Sequence, residues 1–350
     1  MNKRILLLVI IVISIFIILL LPQKTECSCG NGICEPVETT GKCEQDCNSD
    51  SVNFNPGRVH HLKVDNYDRK YYVHLPPEYN KTKQLPVVLV LHGGHGNGKA
   101  SARQNEFYKL ADKEGFIAVF PEAFPGPKIS SNLRYQHWNG GPRTNLHKCR
   151  DIDDVKFISL MIDQLKTNYN IDNKKVYATG ISNGGTMAYR LACELSDKIA
   201  AIAPVGANQL DIKCTPLKPV AIFHIHGLKD KILPYQGGKV SDDTEDWRPV
   251  NEVITEWIKR NECSENSVIV EEDKEKICHT YADCKNNSTI KLCALKKHGH
   301  TWPGGTYNGA KSCKLRPDGI ICKMWKDFVG PIQMYSANEE IWSFFKKHSL

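Results

Sequence analysis

The segment Gly180–Gly184 places Ser182 between two glycines, each two residues away. The segment follows the apolar run Val176–Ala178 and precedes a helix-like stretch. Small residues at this spacing allow the sharp strand-to-helix turn that exposes a nucleophilic hydroxyl at the end of a sheet. The first free N–H groups of the next helix can then face a developing negative charge. The pattern predicts Ser182 as a nucleophile and the N–H of Asn183 as an oxyanion donor.

A glycine-rich turn follows the strand-like run Val87–Leu91 and predicts the second oxyanion donor. The turn reads His92-Gly93-Gly94-His95-Gly96. Glycines let backbone N–H groups approach a substrate closely. We assign this donor to Gly94, and we expect His92 to brace the loop through hydrogen bonds rather than to titrate in catalysis.

An acid is expected a few residues beyond a late strand, where it can orient an imidazole. The run Val220–His226 leads into such a turn, and Asp230 is the predicted acid. His224 and His226 are expected to face the packed sheet or to support the loop. The competing acids lie in a charged stretch without a strand directly before it: Asp242, Asp243 and Asp246.

The base is predicted after the run Thr289–Leu295, in the segment Gly299–Gly305, where His300 is followed by Thr-Trp-Pro-Gly-Gly. His298 lacks that setting, and His348 lies near the end of a terminal helix. The chain order of nucleophile, acid and base is therefore the order of an α/β-hydrolase. A Ser-His-Asp triad works without a metal or cofactor, so we predict neither.

These residues need a sheet whose strands end at one edge. From about residue 60 the chain alternates short apolar runs with amphipathic stretches, which predicts a mostly parallel sheet with helices on both faces. The predicted strands are Tyr71–His74, Val87–Leu91, Phe116–Phe120, Val176–Ala178, Ile199–Ala203, Val220–His226 and Thr289–Ala294. The predicted helices are Ala102–Glu114, Asp153–Asn168, Gly185–Leu195, Val250–Asn261 and Glu339–Lys347.

Length and composition fit one large core with a small appendage. The chain has 350 residues, 41% of them hydrophobic, and a net charge of +7. Its basic residues are scattered rather than clustered, which argues against a nucleic-acid partner.

Residues 1–26 have the features of an export segment. A basic start is followed by the uncharged apolar stretch Ile5 to Leu21. This length lies between a signal-peptide core and a membrane-spanning anchor, so both interpretations stay open. Either one predicts contact with the membrane or the secretion machinery, and a protein that is secreted or anchored to the outer face of the cell membrane.

Cysteine use agrees with export. Of the fourteen cysteines, five lie in residues 27–50 and nine in the rest of the chain. In an exported protein this indicates disulfides, and residues 27–50 are too short to form a hydrophobic core without such cross-links. Zinc is a poor alternative because of the cysteine spacing. Calcium held by the acidic residues of this module is a second alternative. Residues 51–59 have the composition of a linker, and residues 60–350 form the predicted catalytic domain.

The chain resembles the esterase family that includes extracellular polyhydroxybutyrate depolymerases, feruloyl esterases and acetylxylan esterases. The similarity spans about residues 60 to 348, and the run from His300 to Gly305 is its most specific part. The other segments that carry the resemblance are Leu91–Gly94, Gly180–Gly185, His226–Asp230, Pro234–Gly238, Asp153–Ile158 and Ile341–Phe345. By this match Ser182 is the nucleophile, Asp230 the acid and His300 the base.

The resemblance implies an ester substrate, and an exported enzyme suits an extracellular polymer. Feruloyl or acetyl esters of plant polysaccharide are favoured over polyhydroxybutyrate. A peptidase of the same fold and a non-catalytic surface binding protein remain as alternatives. Trp138, Trp302 and Tyr235 are expected to line the substrate cleft. The chain is expected to act as a monomer.

Overall fold

The computed structural model describes residues 56–128, 134–142, 152–239, 247–264, 268–305, 323, 327–333 and 335–350. The predicted export segment, the cysteine-rich module and the three competing acids Asp242, Asp243 and Asp246 lie outside these residues. The first strand begins at Arg58, within the segment that the sequence predicts as a linker. No helix in the described ranges is long and apolar enough to cross a membrane.

A ten-stranded sheet in the order β1-β2-β4-β3-β7-β8-β9-β12-β11-β10 organises the domain. Its strands are β1 (Arg58–Val64), β2 (Tyr67–His74), β3 (Leu85–Leu91), β4 (Ile117–Pro121), β7 (Ile171–Ile181), β8 (Ala201–Val205), β9 (Ala221–Gly227), β10 (Val268–Glu272), β11 (Lys276–Tyr281) and β12 (Ile290–Leu295). A separate small sheet pairs β5 (Pro125–Lys128) with β6 (Arg134–Gln136).

Six adjacent strands in the middle of the large sheet, from β4 to β12 in the spatial order, are parallel. The flanking pairs at both ends of the sheet are antiparallel. Every residue of β4, β8 and β9 is buried, which is expected for parallel strands covered on both faces. The predicted mostly parallel α/β sheet is confirmed.

Helices connect the strands and cover the sheet. They are α1 (Gly98–Asn105), α2 (Phe107–Glu114), α3 (Asp154–Asn168), α4 (Asn183–Glu194), α5 (Val250–Arg260) and α6 (Ala337–Phe345), with a short 3-10 helix at Lys285–Asn287. Asp153 begins α3 by accepting a hydrogen bond from the N–H of Lys156 at 2.8 Å, which is ordinary N-capping by an aspartate.

The predicted helix Ala102–Glu114 is two helices in the structure, and this part of the prediction is wrong. Glu106 separates α1 from α2 with a left-handed φ of 53°. The side chain of Asn105 accepts a hydrogen bond from the N–H of Phe107 at 3.1 Å. An asparagine side chain that bonds to the nearby backbone competes with helical hydrogen bonding, which explains the break.

Three disulfides link described cysteines: Cys193–Cys214, Cys263–Cys284 and Cys278–Cys293. The last pair joins directly opposed residues of β11 and β12. The predicted use of cysteines as disulfides is confirmed for these six, while the cysteines of the N-terminal module and Cys149, Cys313 and Cys322 lie outside the described residues.

Candidate active site

Ser182 lies in the sharp turn between β7 and α4, with φ 55° and ψ −125°. Its N–H donates to the carbonyl of Val205 at the end of β8, at 2.9 Å. The carbonyl of Ser182 accepts from the N–H of Thr186, so the residue is held on both sides. A Cβ at Gly184 would collide with the carbonyl oxygens of Leu91 and His92, which explains why the turn needs glycine there.

Asp230 and His300 are in contact. His300 Nδ1 lies 2.7 Å from Asp230 Oδ2, and both side chains are buried, with 8% and 0% of their surface exposed. An ionised carboxylate only accepts hydrogen bonds, so His300 must carry its proton on Nδ1 when it is neutral. Its Nε2 then has a free lone pair, which a general base requires.

The Asp230 carboxylate is held by groups from three directions. Oδ1 accepts from the N–H groups of Ile232 at 2.9 Å and Leu233 at 2.7 Å. Oδ2 faces His300 and lies 3.4 Å from His226 Nε2. Burial alone would raise the pKa of Asp230, but hydrogen bonds from His226 and His300 outweigh it and hold the pKa well below its usual range. Asp230 is therefore ionised at neutral pH.

His300 lies near the end of β8, the strand whose last residue accepts the Ser182 N–H. A Cβ built on Gly206 would stand 3.6 Å from His300 Nδ1 and 3.5 Å from Asp230 Oδ2. Gly206 directly follows Val205, whose carbonyl accepts the Ser182 N–H. Within the described residues neither Ser182 Oγ nor His300 Nε2 has a hydrogen-bond partner, so both reacting atoms are available.

The two predicted oxyanion donors belong to segments that lie next to Ser182. Asn183 is the first residue of α4, where N–H groups have no intrahelical acceptor. A Cβ built on Gly93 would stand 3.6 Å from Ser182 Cβ, so the Gly93–Gly94 peptide, which carries the Gly94 N–H, borders the serine. A Cβ at Gly94 would stand 2.5 Å from His137 Nε2, so a side chain there would displace the His137 ring or the loop itself.

His92 braces the glycine-rich loop, in agreement with its expected role. Its Nε2 accepts from the N–H of Ala123 at 3.0 Å, so its Nδ1 carries the proton and donates to the Gly93 carbonyl at 2.7 Å. Complete burial lowers the pKa of His92 to about 4, which keeps the ring neutral.

A second support joins the nucleophile turn to the segment around Trp138. The Trp138 N–H donates to Asn183 Oδ1 at 2.7 Å, and Asn183 Nδ2 donates to the Trp138 carbonyl at 3.0 Å. The next residue, Asn139, donates its N–H to Asp154 Oδ2 at 2.7 Å. Arg69 lies 2.5 Å from Asp154 Oδ1, and both charged groups are almost fully buried. This support could not be predicted from the sequence, because a buried ion pair between β2 and α3 has no local sequence pattern.

The three aromatic residues expected to line the cleft are buried, and this corrects the expectation. Trp138 has no exposed surface and donates Nε1–H to the His92 carbonyl at 3.0 Å. Trp302 is 3% exposed and donates to Asn338 Oδ1, and Tyr235 donates to Asn251 Oδ1. They belong to the packing under the site because each polar tip has a partner inside the protein.

The competing histidines have other structural partners. His298 Nδ1 accepts from the N–H of Gln333, and its Nε2 lies 3.0 Å from the Thr301 carbonyl. His348 packs against Phe344 in the terminal helix region. Among the described residues no group of three His, Cys, Asp or Glu side chains could hold a metal ion.

Comparisons with known proteins show what this domain is similar to. Residues 64–205 match the family described as putative esterase. The chain is 29% identical over 244 residues to feruloyl esterase B of Piromyces equi, covering 66% of this chain and 42% of that protein. It is 27% identical over 231 residues to the bifunctional acetylxylan esterase/xylanase XynS20E of Neocallimastix patriciarum, covering 65% of this chain and 31% of that protein. The chain thus spans less than half the length of these two relatives.

A third relative is matched over more of its length. The putative esterase NocK of Nocardia uniformis subsp. tsuyamanensis is 28% identical over 261 residues, which are 68% of this chain and 72% of that protein. Among solved structures, a thermostable esterase has a TM-score of 0.50 at 14% identity and covers 84% of this chain and 63% of that one. The structure of sOPH has a TM-score of 0.51 at 16% identity and covers 72% and 84%. These similarities confirm the predicted α/β-hydrolase fold.

Proposed function

We propose that this chain, whose residues 64–205 match the family described as putative esterase, is an exported serine carboxylic-ester hydrolase with Ser182, His300 and Asp230 as its catalytic triad. The observation that carries the proposal is the buried contact of His300 Nδ1 with Asp230 Oδ2 at 2.7 Å, near the end of β8, whose Val205 carbonyl accepts the Ser182 N–H. A neutral imidazole in this tautomer has its free nitrogen available for a serine hydroxyl.

The proposed reaction follows from these groups. His300 Nε2 takes the proton of Ser182 Oγ as the oxygen attacks the ester carbonyl, and Asp230 stabilises the imidazolium that forms. The oxyanion of the tetrahedral intermediate accepts from the N–H groups of Asn183 and Gly94, each worth roughly 3–4 kcal/mol of barrier. His300 then protonates the leaving alcohol. Water, deprotonated by the same imidazole, releases the acid from Ser182.

For the substrate, we propose feruloyl or acetyl esters of a plant polysaccharide. The support is the names of the matched relatives, one a feruloyl esterase and one an acetylxylan esterase. Action outside the cell is supported by three disulfides, which persist in oxidising compartments. The apolar segment in residues 1–26 is the proposed export signal, with cleavage or retention both compatible with this proposal.

The test is a hydrolysis panel of methyl ferulate, acetylated xylan, p-nitrophenyl acetate and a polyhydroxybutyrate film. We expect turnover of the first three, together with labelling of Ser182 by a fluorophosphonate probe. Ser182→Ala should abolish hydrolysis and labelling while keeping the melting temperature within a few degrees, because the replacement removes only the hydroxyl.

Near-full activity of Ser182→Ala would refute the triad. Preferred cleavage of peptide amides by the wild type would favour a peptidase of this fold, and failure of the wild type both to label and to hydrolyse any ester would favour a binding protein.

A further inference from the structure

A chain of three buried polar side chains runs from the nucleophile helix to the acid. Tyr189 lies on α4, and its hydroxyl is 2.7 Å from His224 Nδ1. His224 Nε2 is 3.0 Å from His226 Nδ1, both on β9, and the two rings are stacked with an interplanar angle of 3°. His226 Nε2 is 2.8 Å from the Leu233 carbonyl. None of the three side chains is more than 1% exposed.

The partners fix the position of each proton in this chain. His226 Nε2 faces the Leu233 carbonyl and the Asp230 carboxylate, which only accept, so Nε2 must carry a proton. In the neutral ring Nδ1 is then an acceptor, and it receives the Nε2–H of His224. His224 Nδ1 is in turn an acceptor for the Tyr189 hydroxyl. Burial holds the pKa of His224 well below its ordinary value and raises the pKa of Tyr189, so both stay neutral.

The chain ends on the turn that holds the acid. Asp230 Oδ1 accepts from the N–H groups of Ile232 and Leu233, while His226 donates to the carbonyl of the same Leu233. His226 Nε2 is also 3.4 Å from Asp230 Oδ2, on the side where His300 binds. The position of the His226 ring therefore fixes both the turn and the carboxylate.

A packing role alone does not account for these residue types. Burying an imidazole or a hydroxyl is unfavourable unless each polar atom is hydrogen-bonded, and apolar residues fill such a site without that requirement. Here each polar atom from Tyr189 to Leu233 has a partner, and every group donates to the next one along the chain, from the Tyr189 hydroxyl to the Leu233 carbonyl. It joins α4, which begins directly after Ser182, to the turn that carries Asp230.

We propose that Tyr189, His224 and His226 are positioning residues: they hold the Asp230 carboxylate in the orientation in which it accepts the hydrogen bond from His300 Nδ1. They touch neither the substrate nor the reacting atoms. The proposal rests on the proposed esterase function for its kinetic test, and on the chain of proton positions for a test that does not need activity.

The kinetic test compares His226→Phe with His226→Gln. Phenylalanine keeps a ring but removes the donor. We expect kcat to fall about 10–100-fold, the range for losing a hydrogen-bond partner that orients a functional ligand in metal sites, with KM changed less than about twofold. Glutamine can still donate to the Leu233 carbonyl, and we expect kcat within about threefold of wild type. Tyr189→Phe, which removes only the far hydroxyl, should cause a smaller fall in kcat. His348→Phe is the control for loss of a buried histidine: it should lower the melting temperature without changing kcat.

Two kinetic results would overturn the proposal. One is a folded His226→Phe enzyme with kcat within twofold of wild type. The other is an equal loss in the Phe and Gln variants that follows the loss of melting temperature. If His226→Phe does not fold, an unchanged kcat in Tyr189→Phe would overturn the proposal instead.

The spectroscopic test uses wild-type protein with ¹⁵N-labelled histidine. Long-range ¹H–¹⁵N spectra report which ring nitrogen is protonated, and we expect Nε2–H for His224 and His226 and Nδ1–H for His300. Nδ1–H on His226 would refute the chain whether or not the protein hydrolyses esters. Conversely, the expected proton positions in a protein without ester hydrolysis would refute the proposed function while leaving the hydrogen-bonded chain in place.

Discussion

Replacing Asp230 by asparagine should inactivate the site by moving one ring proton of His300. Asp230 Oδ1 accepts from two backbone N–H groups, those of Ile232 and Leu233. In the variant the amide oxygen must take this place, because an NH₂ group there would face two donors. The amide nitrogen then occupies the position of Oδ2, 2.7 Å from His300 Nδ1.

The consequence is a change of tautomer at His300. The side-chain amide of the introduced asparagine would donate to Nδ1, so the ring proton moves to Nε2 and the lone pair that accepts the Ser182 proton is lost. We expect kcat for p-nitrophenyl acetate to fall on the order of 10⁴-fold, the loss known for this substitution in a serine protease triad. That corresponds to about 5.4 kcal/mol of barrier.

A matched control lies elsewhere in the same fold. Asp273 Oδ1 accepts from the N–H groups of Glu275 at 2.7 Å and Lys276 at 2.9 Å, which is the same turn without an imidazole. Asp273→Asn should leave kcat unchanged. A fall of only a few-fold in folded Asp230→Asn, or ring spectra with Nδ1–H on His300 in that variant, would refute the reasoning.

Three further predictions concern stability, each measured by urea unfolding. Burial lowers the folded pKa of His92 to about 4, so between that pH and about 6.5 the unfolded chain binds a proton more readily than the folded one. The free energy of unfolding should therefore decrease as the pH is lowered, with His92 contributing about 1 kcal/mol of the loss between pH 7 and 5.5. A pH dependence of His92→Gln equal to that of wild type would contradict this. Arg69→Met leaves the buried Asp154 carboxylate without its cation and should cost about 3–5 kcal/mol, whereas a loss below about 1 kcal/mol would show that the pair is dispensable. Replacing Cys193 and Cys214 together by serine opens a link across 21 residues and should cost about 3 kcal/mol, a value that an unchanged urea midpoint would exclude.

The positions of the site segments could be predicted because each follows a buried strand. The apolar runs before Ser182, Asp230 and His300 correspond to β7, β9 and β12. Parallel strands end at one edge of the sheet, so residues just beyond them meet there although they are far apart in the chain. Asp230 and His300 meet because β9 and β12 are neighbours in the sheet and each residue lies in the turn that follows its strand.

Features that depend on side-chain partners could not be predicted from periodicity. The edge strand β10 is exposed at every position, so it has no hydrophobic alternation to reveal it. The break between α1 and α2 depends on one hydrogen bond of Asn105. The burial of Trp138 and Trp302 depends on neighbours from distant segments, since an aromatic residue near a site has the same local sequence whether it lies on the surface or beneath it.

The same physical limit explains why the supports of the site are more extensive than its motifs. Ser182 has a positive φ of 55°, a backbone conformation that is unfavourable for every residue except glycine and costs about 1–3 kcal/mol. Such a turn persists only if its surroundings hold it, and here the Val205 carbonyl, the close contact of Gly184 with β3 and the Asn183–Trp138 pair all do so. On the opposite side the buried histidines of β9 hold the turn of Asp230. The reacting atoms themselves carry no hydrogen bond within the described residues, so the fold fixes everything around Ser182 Oγ and His300 Nε2 and leaves these two atoms available for a substrate.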